Sequence, residues 1–175
     1  SSLCETANAM ALQADGKIVL TGYSGGSFVT ARLNPDGSPD TAFNGTGVAT
    51  TRMEFGAGTT ATGYGIAIGA DGRIVVAGFG RGLAGNQDLG IGRFERDLTP
   101  DWSIGTTGTT TYDFAYGIGA GNDSGTALAF DRDGRIVVAG SAEWNGLDTD
   151  FAWARFDSSY IFADSFDWPG GTGRW

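Results

Sequence analysis

Asn34, Asp36 and Asp40 fall within seven residues with Gly37 among them, a spacing at which one short loop could turn several oxygens onto a Ca²⁺ ion. Asp131 and Asp133, followed by Gly134, form a thinner version. The competing reading is a hairpin turn in which Asp bonds the nearby backbone. The chain has no histidine. That removes Ser-His-Asp and Cys-His nucleophiles, His general bases and most transition-metal sites. A glycosidase needs only a pair of carboxylates, yet four of the 20 acids are Glu, and Asp15, Asp36, Asp71 and Asp133 stand directly before Gly in turn sequences. A carboxylate hydrolase is therefore the third-ranked function. Among the five Trp, Trp144 is the best placed to stack on a sugar ring, on the expectation that Ser141 to Asp150 is a long loop. Arg32, Arg93 and Arg155 recur at one position in three similar segments. They suit either a ring of anion-binding arginines or, the preferred reading, structural pairing with an Asp such as Asp40 or Asp101.

These residues are carried by an internal repeat. Ala14-Asp15-Gly16-Lys17-Ile18-Val19-Leu20-Thr21-Gly22 returns at 70–78 and again, with Arg in place of Ala, at 132–140. The Asp-Gly pairs lie 56 residues apart (15 to 71) and then 62 (71 to 133). Such a period marks a unit that must stack on its copies to bury its apolar face. Gly16, Gly72 and Gly134 close hairpins, expected as two-residue type I′ turns with positive φ at both positions. In the first copy a strand at 9–13, the next at 17–23 with its β-branched run, the alternating segment Phe28 to Leu33 and a weaker strand at 47–51 predict four antiparallel strands. Asn34-Pro35-Asp36-Gly37 supplies another turn. No segment has a capped 3.6-residue period, so almost no helix is expected. The fold class is all-β: propeller-like blades of four antiparallel strands, in three repeats of about 56–62 residues. The blades are expected at 7–51, 64–112 and 125–157, within a domain 7–157, between an N-terminal tail 1–6 and a C-terminal segment 158–175.

Ala14 to Gly22, followed by Ala31-Arg32-Leu33-Asn34-Pro35-Asp36-Gly37-Ser38-Pro39-Asp40-Thr41-Ala42-Phe43, resembles the delta-60 repeat of bacterial secreted and surface proteins. The resemblance covers roughly 7–157 and implies a β-propeller-like fold without an assigned activity. Copy two departs at Glu95 to Trp102, which lacks the Asp-Gly turn, and copy three breaks off after Asp157. Ile161-Phe162-Ala163-Asp164-Ser165-Phe166-Asp167 resembles the "IFADGFE"-like tail of secreted Gram-negative bacterial proteins, with Ser165 and Asp167 as departures. It implies export to the cell surface or medium. The same residues also read as the fourth strand of the third blade.

A net charge of −9 disfavours nucleic acid and anionic membranes as partners, and no apolar run is long enough for a bilayer span. The single cysteine, Cys4, has no internal partner. Three blades fall short of the roughly four to eight of closed propellers. The chain is therefore expected to be part of something longer, to close with copies of itself or another chain, or to stack openly. The leading functional expectation is a non-catalytic secreted or cell-surface scaffold that completes its blades with other chains. The alternative is a calcium-assisted carbohydrate-binding module that recognises a surface glycan. No cofactor is required by the first reading, and Ca²⁺ is the candidate for the second.

Overall fold

The computed structural model describes residues 5–51, 60–81, 86–104, 108–113, 121–144, 148–157 and 163–165. Its described residues contain strands and turns and no helix. Three four-stranded sheets follow one another along the chain. The first is β1 (Glu5–Leu12), β2 (Ile18–Ser24), β3 (Ser27–Leu33) and β4 (Val48–Thr51). The second is β5 (Ala61–Ile68), β6 (Ile74–Arg81), β7 (Gln87–Phe94) and β8 (Thr109–Tyr112). The third is β9 (Asp123–Phe130), β10 (Ile136–Trp144), β11 (Asp148–Phe156) and β12 (Ala163–Ser165). Every neighbour within a sheet is antiparallel and sequential, which is the blade-like meander expected.

The Asp-Gly hairpins are one residue longer than expected. Only the glycines have positive φ, at 82°, 85° and 79° for Gly16, Gly72 and Gly134. Gly16 N donates to Gln13 O at 2.9 Å, and Gln13 N donates to Lys17 O at 2.9 Å. The same pair of bonds recurs at 69–73 and 131–135. The turn is therefore a three-residue loop, a type I turn followed by a left-handed glycine, and not a two-residue type I′ turn. A second glycine is demanded by contact. A Cβ on Gly22, Gly78 or Gly140 would stand 1.8 Å from the carbonyl oxygen of Thr6, Thr62 or Ser124, where the first strand of each sheet shifts register.

Ser141 to Asp150 is not a long loop. Residues 136–144 and 148–156 run as one extended ladder, with Ser141 opposite Phe151 and Trp144 opposite Asp148. Backbone pairing over those positions leaves only 145–147 for the connection. The third sheet takes its outer strand from the C-terminal segment, where Arg155 faces Ser165.

The sheets stack in sequence order, and alternation along each strand gives every sheet two faces. Val19 of the first sheet packs forward against Ile74, Val76 and Phe94 of the second. Val75 of the second sheet packs forward against Ile136, Val138 and Phe156 of the third. The middle sheet is covered on both faces, so β6 is buried from Ile74 through Gly80. The first strands β1, β5 and β9 lie next to one another, joined in part by Asn8 Nδ2 donating to Gly63 O at 2.8 Å.

Candidate functional site

The repeated arginines and turn carboxylates meet at the ends of the strands. Arg32, on β3, directs Nε at Asp40 Oδ2 at 2.7 Å, and Lys17 Nζ reaches the same oxygen at 2.7 Å. Arg32 and Asp40 are 7% and 3% exposed. The Arg32 guanidinium stands 5.3 Å over the Phe43 ring and donates across to Arg96 O of the second sheet's turn at 3.3 Å. The hydrogen bond from Lys17, joined by Arg32 and opposed by burial, holds the Asp40 carboxyl below its ordinary range.

In the second sheet Arg93 Nε meets Asp101 Oδ2 at 2.7 Å. Asp101 Oδ1 accepts from the Ser103 backbone N at 3.0 Å and from its hydroxyl at 2.7 Å. Burial pushes Asp101 up, but the Ser103 hydrogen bonds and the Arg93 charge outweigh it and hold the carboxyl low. Arg155 occupies the matching position on β11, but eight residues on, where Arg32 has Asp40 and Arg93 has Asp101, the sequence has Ala163.

The proposed oxygen ligands do not converge. Asp36 Oδ1 accepts from the backbone and hydroxyl of Ser38 at 2.9 and 2.6 Å, which holds its carboxyl low. Asn34 Nδ2 donates to Ser38 Oγ and Pro39 O, while Asp40 is bound to two cations. Asp131 takes the backbone N of Arg135 and, at 2.9 Å, its Nε, and Asp133 takes Arg135 Nη2 at 2.8 Å. Among the described residues no three carboxylate, cysteine or histidine side chains gather as a metal ligand set. These side chains therefore do not fit a Ca²⁺ ion; what the carboxylates hold is turns and arginines. Trp144 closes β10, and its indole, like Cys4 and the segment 166–175, lies outside the described residues.

A different feature separates the sheets. Phe28, Leu89 and Phe151 hold the same repeat position; the first two are fully buried and Phe151 is 74% exposed. Beside it on the third sheet's forward face lie Val137 opposite Arg155 and Ala139 opposite Trp153. On the first sheet the rear face is open instead. Leu12 and Met10 are 62% and 57% exposed. Ile18 is half-buried, although its counterparts Ile74 and Ile136 are fully buried. Across that face Met10, Leu20, Ala31 and Val48 line up strand by strand, and a shallow groove runs between Leu20, Val29, Ala31 and Val48. Among the described residues, the forward face of the third sheet and the rear face of the first are thus covered by no further sheet.

A family model described as "Domain of unknown function (DUF5122) beta-propeller" matches residues 13–43 and 69–103. Those stretches hold the second and third strands of the first two sheets with their turns. The chain is a β-propeller-type repeat protein. No curated protein matches the chain. A solved structure of a fucose lectin from Kordia zhangzhouensis in complex with methyl-fucoside is similar at 14% identity and a TM-score of 0.47, covering 90% of this chain and 96% of the lectin. In a propeller the forward face of one blade covers the rear face of the next, and this repeat protein does so twice, leaving one face of each kind. The open faces were not singled out from the sequence, because apolar alternation marks which residues share a face but not whether another sheet covers it. The signal that could have found them is the aromatic pair Phe151 and Trp153, at positions that carry Leu89 and Ile91 in the second copy.

Proposed function

We infer that this propeller-type protein is a non-catalytic assembly scaffold, exported to the cell surface or medium, whose open blades are completed by other protein chains. The observation that carries the reading is Phe151, 74% exposed at a position fully buried in the other two sheets. A large aromatic side chain left open on a sheet face suits an interaction surface. Export is supported by the resemblance of Ile161 to Asp167 to secretion tails. A non-catalytic role is supported by Asp40, Asp101 and Asp131, each held by an arginine of its own sheet, with Lys17 on Asp40 as well. The test is molar mass by light scattering after gel filtration, for the wild type and for Phe151→Asp. The expected wild-type mass exceeds one chain, and the variant falls to one chain. A wild type that runs as one chain at every concentration, with the same melting temperature as Phe151→Asp, overturns the reading.

A further inference from the structure

We propose that the partner is a second copy of this chain, docked head to tail, so that the forward face of the third sheet in each copy covers the rear face of the first sheet in the other. The proposal rests on the assembly reading above and adds who the partner is and which faces meet.

The interface already exists twice inside the chain. In both cases a forward valine (Val19, Val75) meets the rear face of the next sheet. Val137 is the third such valine, and the rear positions Ile18 and Leu20 repeat Ile74 and Val76, or Ile136 and Val138. A second copy therefore offers the half-interface that each open face is built to receive. An unrelated partner would have to reproduce the same twist, strand spacing and apolar rows.

Shape agrees with that pairing. The third sheet's forward face carries the bulky Phe151 and Trp153, whereas the first sheet's rear face is grooved between Leu20, Val29, Ala31 and Val48. Two rear faces or two forward faces would set groove on groove or ring on ring. Two copies of this three-sheet unit would present six sheets, within the roughly four to eight that close a propeller. A head-to-tail contact that closes makes a ring, and one that does not close makes an open filament. Two chains of net charge −9 repel each other; on the third sheet's forward face β10 and β11 place one acid, Glu143, with Arg155 on the same face, and salt screens charges lying away from the contact.

The internal interface also indicates which atoms should meet. A Cβ on Gly65 would stand 3.3 Å from Leu128 Cδ2 of the next sheet. Ala127 is the third-sheet counterpart of Gly65, and Met10 is the first-sheet counterpart of Leu128. Ala127 of one copy should therefore lie against Met10 of the other.

The experiment places a cysteine at each position separately, Met10→Cys and Ala127→Cys, both with Cys4→Ser, and oxidises each full-length chain alone and in an equal mixture. Both sites are exposed in the single chain, and circular dichroism checks that each variant keeps its sheet. The expected result is a covalent dimer in the mixture and none from either chain alone, with a wild-type light-scattering mass of two chains. A covalent dimer from Met10→Cys alone, or a defined mass of three chains or an open polymer, overturns the head-to-tail pair and leaves the assembly reading standing. A single-chain mass with no cross-link in the mixture overturns the pair. It overturns the assembly reading too if the Phe151→Asp melt is also unchanged.

Discussion

The two interfaces inside the chain come from the same repeat and differ in chemistry. Between the first and second sheets, Val19 and Phe28 are accompanied by buried Thr21, Thr30 and Arg32, and the Phe28 and Phe94 rings stack with centroids 6.1 Å apart. Gln13 Oε1 and Thr30 Oγ1 are buried there with no hydrogen-bond partner among the described residues. Between the second and third sheets, the positions of Thr21 and Thr30 are taken by Ala77 and Ile91, which pack on Val138, Ala152 and Ala154. The repeat thus holds the strand geometry constant while each interface is stabilised by different side chains. The first junction centres on the stacked rings among buried polar side chains; the second is mainly aliphatic, edged by Tyr112 against Phe156 at 5.8 Å and by Asn86 Nδ2 donating to Gly121 O at 2.7 Å.

The largest expected effect comes from removing the ring that anchors the polar junction. Phe28→Ala should cost about 4 kcal/mol in urea unfolding. Ile91→Ala, in the aliphatic junction, should cost about 3 kcal/mol. Because Val75 and Val76 are neighbours facing opposite ways in the shared middle sheet, both variants should unfold in one transition. Two resolved transitions in either variant would show that the interfaces are independent.

Next in size is Arg93→Met, which leaves the buried Asp101 without its 2.7 Å partner and should cost about 3 kcal/mol or somewhat less, since Ser103 still bonds it. The same pair sets the acid limb of stability. Asp40, Asp101 and Asp131 have folded pKa values below 3.8. Their contribution is therefore present above that value and is lost as pH falls through the lowered ones. Arg93→Met should flatten the decline below pH 4, measured as melting temperature against pH.

Asp88 works in the opposite direction. Burial, with the nearby Asp113 charge, raises its pKa above 3.8, and Asn86 only partly offsets this. Stability from this group is full below 3.8 and falls as pH rises through the raised value. Asp88→Asn, which keeps the size of the side chain, should melt higher than wild type at pH 7 and no higher at pH 3. An equal gain at both values would exclude titration as the cause.

The smallest effect sharpens the contrast between the interfaces directly. Thr30→Val removes an unpaired buried hydroxyl and moves the polar junction toward the aliphatic one, so it should stabilise by up to about 1 kcal/mol. A loss of stability would mean that the hydroxyl is satisfied by bound water.

Copy two illustrates how far local sequence can mislead. Its lack of an Asp-Gly turn suggests a departure, yet Leu98 N donates to Glu95 O at 2.8 Å as Gly37 N donates to Asn34 O at 2.9 Å. Leu98 adopts φ 69° in place of glycine. Left-handed backbone disfavours leucine, but here its side chain is buried with Val19, Phe28 and Phe43 between the first two sheets. Tertiary burial offsets a local cost that a sequence reading can only count against the turn.

By itself the sequence determined the number of copies, the four-strand order within the first, the turn glycines and the recurrence of Arg32, Arg93 and Arg155. Each of these depends on neighbours along the chain, and a strand or turn is specified by its own residues. Tertiary structure decided that 141–150 is ladder and not loop, because backbone pairing with the facing strand extends through Trp144. It also decided that the turn carboxylates face arginines and backbone instead of one another, and that Phe151 lies open where Phe28 and Leu89 lie buried. Alternation along a strand gives a side chain its face, but what covers that face is set by a sheet about 60 residues away in this repeat.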